Sequence, residues 1–382
     1  MFMKNTKNLY RLVIKYGQKC LLLATMGILL LALISCGDNK GGGYGSASGE
    51  SFEWKMVTTW PKDFPGLGTG ANNLAEVIEK MSGGRLTVKV YGAGELVGAF
   101  ESFDAVSRGT AEMGHGAAYY WKGKAPAAQF FAAVPFGLTA QEMNGWIYHG
   151  GGLELWERVY NDFNLVPLAA GNTGVQMGGW FTKEIKSIAD LKGLKMRIPG
   201  LGGEVLNRLG GEQISLPGGE IFAALELGTI DATEWVGPYN DLAFGFYKAA
   251  KFYYYPGWHE PGTTLETFVN KEALAALPED LQSIVRIAAQ AANMDMLADF
   301  TARNNQALNT LINEHNVQLR RFPNDVLKEF ARVTEEILKE ESLRDELSKE
   351  IYDSFITFRK QADTWHEISE LAYLNARKNN LK

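Results

Sequence analysis

The chain has 382 residues, 46% of them apolar, enough for a sizeable core and for two domains rather than one. A formal net charge of −6 gives no support to a basic nucleic-acid-binding face. The only cysteines are Cys20 and Cys36, so thiol catalysis and a disulfide framework are excluded for the body that follows.

Residues 1–19 carry Lys4, Lys7, Arg11, Lys15 and Lys19 and no acid, and 21–34 is a 14-residue apolar run. That run is too short to span a bilayer but has the length of a signal-peptide core. It ends in Leu-Ile-Ser-Cys-Gly, which resembles a lipoprotein box and predicts cleavage before Cys36 with lipidation of that cysteine. Residues 1–35 are therefore read as signal peptide and 36–51, rich in Gly and Ser, as a flexible tether to the membrane on the periplasmic side. Loss of the leader removes five positive charges and takes the formal charge from −6 to −11, so an anionic ligand must be attracted locally.

Composition divides the remainder. All 42 glycines fall before Thr263, and after it only Pro278 and Pro323 remain, so the front is strand, turn and helix and the back nearly all helix. Residues 52–60 alternate as a strand, Leu74, Val77, Ile78 and Met81 take helical spacing, and 85–96 is a second strand. A helix, turn and short strand follow over 99–116. A second β-α-β series begins near 165 and runs to 236. Two such units predict two α/β lobes with mostly parallel sheets and a cleft between them. Residues 276–315 predict one long helix opened by Pro278. From Asn324 to Lys382, Leu343, Leu347, Ile351, Phe355, Phe358, Ala362 and Trp365 step as one stripe on a long amphipathic helix, read as an oligomer contact.

Enzyme signatures are missing: there is no G-x-S-x-G, H-E-x-x-H or Walker loop, and the five histidines share no metal-ligand spacing. His115 is expected either to line the cleft or to be a hydrogen-bonded core histidine. Polar and aromatic residues instead gather at predicted strand ends: Tyr119 and Tyr120; Asn172, Gln176 and Trp180 among glycines that would let backbone approach a ligand; Arg197; Glu234 and Trp235. Arg197 closes a short strand before Pro199-Gly200, read as a stop, and is expected to await a carboxylate that the chain does not supply. A guanidinium suits that task because its planar paired donors match a carboxylate at every relevant pH.

Residues 187–200, the run Leu-Asn-Arg-Leu-Gly-Gly and residues 220–235 together resemble the signature of TRAP (tripartite ATP-independent periplasmic) transporter solute-binding proteins, over about 52–340. The segments 171–180 and 234–238 are most similar to the branch that binds 2-oxo and 2-hydroxy monocarboxylates with a metal ion. The resemblance implies an α/β two-lobe, Venus-flytrap fold: lobe I from 52–172 plus 262–295, lobe II from 173–261 plus 296–340, a long hinge-crossing helix, and a C-terminal helical extension 341–382 that is a candidate homodimer contact. It implies a receptor, not an enzyme, that delivers a small organic acid to a membrane permease. Carried over, Arg197 grips the carboxylate, Gln176 and Glu234 hold the metal with the Trp235 main-chain oxygen, and Tyr119, Tyr120, Asn172 and Trp60 contact solute. An all-oxygen ligand set favours Ca²⁺ or Na⁺. The roles of His259 and Glu260 stay open, as does a dicarboxylate or sugar-acid ligand, which a second Arg or Lys in the cleft would favour.

Overall fold

The computed structural model describes residues 50–381. The expected signal peptide, Cys36 and nearly all of the expected tether lie outside the described residues. Among the described residues no helix is long and apolar enough to cross a membrane.

Strand β1 (Phe52–Thr58), helix α1 (Leu67–Met81), β2 (Leu86–Tyr91), α2 (Ser102–Ser107) and β3 (Met113–Gly116) come first, then α3 (Ala140–His149), α4 (Gly152–Asn161) and β4 (Leu165–Asn172). The chain next builds β5 (Gly179–Phe181), β6 (Lys195–Arg197), α5 (Gly200–Arg208), β7 (Glu212–Ile214), α6 (Gly218–Glu226), β8 (Ala232–Thr233), α7 (Pro238–Phe244) and β9 (Phe252–Tyr255). It returns through β10 (Thr264–Asn270) and α8 (Lys271–Ala275). It finishes with α9 (Glu279–Asn313), β11 (Gln318–Arg321), α10 (Asn324–Glu341), α11 (Glu346–Ile368) and α12 (Glu370–Asn380).

Two sheets result, ordered β2-β1-β3-β10-β4 and β11-β9-β5-β8-β6-β7. Both are mixed where mostly parallel sheets were expected. β10 runs antiparallel to β3 and β4, and β5 runs antiparallel to β8 and β9. β5 and β10 each carry the chain in from the other sheet and run against their neighbours, whereas β11, which also arrives from the other sheet, pairs parallel with β9. β10 is buried at all seven positions, as a central strand with both faces covered should be.

Helix α9 is the expected long helix, 35 residues and about 50 Å at 1.5 Å per residue. Leu281, Val285, Ala288 and Ala292 pack into the core on the first sheet, and Met296, Phe300 and Leu311 into the core shared with the second. The helix thus passes from one sheet's core to the other's.

The tail departs from the single helix expected. A break at 342–345 leaves Leu343 80% exposed, outside any stripe, and Asp345 starts α11 afresh by accepting a hydrogen bond from Ser348 N at 2.7 Å. Ile351 and Phe355 are buried against the chain's own body, Phe355 edge-on to Trp146 at 5.1 Å. Beyond them Trp365, Ile368, Leu371, Tyr373 and Leu374 are exposed.

Candidate functional site

The site forms where sheet register and crossover loops coincide. Parallel strands β6 and β8 pair Arg197 with Thr233, which puts Glu234 beside the guanidinium, and Glu234 N donates to Arg197 O at 3.1 Å. The two crossover segments run alongside: Thr173 N donates to Thr263 O and Gln176 N to Glu260 O, each at 3.1 Å. Glu260 therefore arrives next to Gln176 although they are far apart in sequence.

Arg197 is 1% exposed and heavily engaged. Its Nε donates to Leu216 O at 3.1 Å, Nη1 to Glu234 O at 3.2 Å, and Nη2 to Tyr120 Oη at 3.2 Å. Nη1 also ion-pairs with Glu234 Oε1, and the guanidinium lies over the Trp235 ring, 5.0 Å from its centroid. The expectation that the chain supplies no carboxylate to Arg197 is thus corrected. The register of β6 and β8 delivers Glu234 to it. Pro199-Gly200 likewise stops nothing; it opens α5. Gly200 adopts φ +60, and a Cβ there would come within 3.2 Å of the Tyr119 Cβ.

Three acidic or imidazole groups converge: donor atoms of Glu234, His259 and Glu260 lie within 4.8 Å of one another, all buried. Glu234 Oε2 is 3.3 Å from His259 Nε2. Glu260 Oε2 accepts from Gln176 Nε2 at 2.8 Å and Thr263 Oγ1 at 2.6 Å. Burial pushes the Glu234 carboxyl up to about 7, with Arg197 pulling the other way. Burial and then repulsion from Glu234 push Glu260 up to about 7 as well. Burial lowers His259 to about 4. Of the two buried carboxyls only Glu234 is paired with the guanidinium, and Gln176 Oε1 is a buried acceptor with no partner. An excess of buried oxygen acceptors facing one point is the chemistry of a hard-cation site, so the residues present fit a Ca²⁺ or Na⁺ ion.

A small cavity adjoins this cluster, lined by Trp60, Tyr119, Tyr120, Thr173, Gln176 and Trp235 among others. None of its lining residues is Lys or Arg. Arg208 is engaged elsewhere, with Glu340, and Lys183 is exposed. Trp60 meets Trp235 edge-on at 6.1 Å.

Other expected residues lie differently. Asn172 does not line the cavity. Its Nδ2 donates to Gly262 O at 3.1 Å and its Oδ1 accepts from Gly174 N at 2.8 Å, so it closes the turn after β4. Trp180 sits in the second core, stacked on Tyr253 at 4.0 Å. His115 is buried and accepts from Trp60 Nε1 at 2.8 Å, a core histidine that orients a cavity wall. The glycines near Gln176 serve packing, not ligand approach. A Cβ at Gly178 would strike Phe322 at 2.4 Å, and one at Gly257 the Gln176 main-chain oxygen at 2.1 Å. The roles of His259 and Glu260 are left open by sequence reasoning, and Thr263 is not singled out at all. The one available signal is an acid set among Pro and Gly just before a strand, which does not reveal its neighbours.

Residues 56–344 match the model of bacterial extracellular solute-binding protein family 7, DctP. The chain belongs to this family. A monocarboxylate 2-oxoacid-binding periplasmic protein from a Nostoc species is 44% identical over 354 residues, 92% of this chain and 96% of that protein. A TRAP periplasmic solute-binding protein from Pseudoalteromonas atlantica with bound sodium and pyruvate is 43% identical, covers 85% of this chain and 99% of its own, and superposes with a TM-score of 0.83. One from Colwellia psychrerythraea with calcium and pyruvate is 44% identical, covers 86% and 100%, and has the same TM-score of 0.83. As a DctP protein the chain has the two-lobe fold of TRAP solute receptors and is a binding protein, not an enzyme.

Proposed function

We propose that this chain is the extracytoplasmic receptor of a TRAP transporter that captures a 2-oxo or 2-hydroxy monocarboxylate of pyruvate or lactate size together with Ca²⁺ or Na⁺, for delivery to the membrane permease. The observation that carries this is one buried guanidinium, Arg197, whose neighbours Tyr120 and Trp235 wall a small cavity together with Tyr119 and Gln176. A dicarboxylate or sugar acid calls for a second cation, and no Lys or Arg lines that cavity.

In this reading Arg197 grips the solute carboxylate, with Tyr119, Tyr120 and Trp60 excluding water around it. Glu234, Gln176 and the Trp235 main-chain oxygen hold the cation, and Glu260 joins them as a further oxygen ligand. The cation supplies positive charge for the solute's carboxylate and 2-oxygen together. Arg197 has five N–H donors, and Nη1 now serves Glu234 twice. Four of the five are taken, so a bidentate grip requires a present partner to yield, and in this reading it is the Glu234 side chain that gives up its Nη1 hydrogen to the solute. Pyruvate has about six heavy atoms; at roughly −1.5 kcal/mol per atom its Kd stays above about 0.1 µM. Calorimetric titration of the mature protein with pyruvate, lactate and longer 2-oxo acids, with Ca²⁺ or with chelator, tests the reading. Micromolar binding with Ca²⁺ and its loss in chelator are expected; no heat from any acid would overturn the substrate class.

We also infer division into lobes at 172–173, 261–262 and 295–296, anchorage through lipidated Cys36, and a homodimer joined by the exposed apolar residues of the tail. The segregation of the two sheets' strands supports the first and the lipobox-like leader the second. The exposed face from Trp365 to Leu374 supports the third. Mass spectrometry of the mature N-terminus tests the anchor. Sedimentation of the mature protein against a version ending at residue 368 tests the dimer.

A further inference from the structure

His259 is the member of the buried cluster to which the reading above gives no role. Its ring is 1% exposed and meets Trp258 edge-on at 5.5 Å. Its Cβ lies so close to Gly202 that a Cβ there would come within 2.9 Å of it. The ring is therefore fixed. Nε2 faces Glu234 Oε2 at 3.3 Å, and Nδ1 is buried with no partner.

Two roles are open to such a ring: direct ligand of a cation, or donor to a ligand. The orphaned Nδ1 separates them. A bare Nε2 turned to a cation would leave the proton on Nδ1, a buried N–H with no acceptor. A proton on Nε2 meets a carboxylate oxygen and orphans only an acceptor lone pair. Orphaned buried N–H groups are the rarer of the two. The other candidate ligands are oxygens, and an imidazole among them would pull the site toward transition metals.

We propose that His259 is a positioning residue: its Nε2–H holds Glu234 Oε2, so that the carboxylate keeps one anchor while Oε1 exchanges Arg197 for the cation. The proposal rests on the acid-and-cation reading above. Glu234 then turns about a fixed oxygen instead of being released into a cavity too small to let it wander.

The test titrates Ca²⁺ alone, then pyruvate, into the mature wild-type protein, His259→Leu and His259→Gln, and reads the histidine ring nitrogens of the wild type by ¹⁵N NMR. A neutral ring protonated at Nε2 is expected. His259→Leu should bind Ca²⁺ roughly 10- to 100-fold more weakly, the usual effect of losing an outer partner of a metal ligand. His259→Gln, whose amide can donate from the Nε2 position, should recover most of that loss. Ca²⁺ affinity at wild-type strength in a folded His259→Leu overturns the proposal, and so does a proton on Nδ1. Zn²⁺ or Ni²⁺ binding that disappears in His259→Gln overturns it by making the ring a direct ligand. If His259→Leu does not fold, the tautomer in the wild type decides. A wild type that binds neither Ca²⁺ nor pyruvate rejects the underlying reading; one that binds both, with an indifferent His259→Leu, rejects this proposal alone.

Discussion

Glu266 on strand β10 and the acids of the cavity wall, Glu234 and Glu260, are all buried, yet the chain treats them differently. Around Glu266 it provides neutral donors: Trp121 Nε1 to Oε1 at 2.6 Å, and Tyr160 Oη at 2.9 Å from Oε1 and 2.7 Å from Oε2. Around Glu234 it provides the Arg197 guanidinium and around Glu260 the Gln176 amide and the Thr263 hydroxyl, but it leaves Gln176 Oε1 and His259 Nδ1 unmatched. Both arrangements raise a carboxyl to about 7, by burial first in each case. Only the second leaves acceptors waiting. A raised carboxyl pKa alone therefore does not mark a binding site here; the balance of donors and acceptors does.

The largest effect that would break this contrast is at Arg197. Arg197→Lys keeps the charge but not the fork, and pyruvate affinity measured by calorimetry should fall by about 100-fold. An unchanged titration would remove the guanidinium from the site. Next, Glu260→Gln should weaken Ca²⁺ binding by at least about 10-fold by removing a charged ligand. Glu266→Gln should leave both Ca²⁺ and pyruvate affinity close to wild type; equal losses in the two variants would erase the distinction.

Stability against pH sharpens the comparison further. The folded-state pKa of Glu266 is raised, so the folded protein holds a proton that the unfolded chain releases near 4.5. Stability from this group is complete below about 4.5 and declines as pH rises toward 7, by on the order of 3 kcal/mol in all. Thermal melts of Glu266→Gln should therefore fall less steeply than wild type between those limits. A parallel decline in both would mean that Glu266 is not the group responsible. The smallest effect is at Gly200→Ala. A side chain at φ +60 pressed on Tyr119 should lower stability by about 1–2 kcal/mol and weaken pyruvate only a few-fold.

Much of the proposed site was legible. Arg197, Glu234, Trp235, Tyr119 and Tyr120 each lie at or just after a strand end, and strand ends of α/β sheets are where ligands collect. That Arg197 and Glu234 would touch was not legible, because it follows from the pairing of β6 with β8, which neither segment encodes locally. The roles of Glu260 and His259 stayed open for a similar reason. They come from the return crossover, and only the fold lays it beside Gln176. Asn172 misled because its polar side chain at a strand end serves its own turn. In the tail, the regular spacing from Leu347 to Trp365 concealed the restart at Asp345, although an Asp ahead of a helical run is an ordinary N-cap.

The restart has a mechanical meaning. Helix α10 packs on α5, beside the second sheet, with Arg208 Nη1 donating to Glu340 Oε1 at 2.9 Å, whereas α11 packs on α3 and α4, beside the first. The tail is thus footed on both halves of the molecule, and Arg359 Nη2, donating to Glu335 Oε1 at 2.9 Å, clasps the two footings to each other across the break, so that this tail works as a brace between the halves.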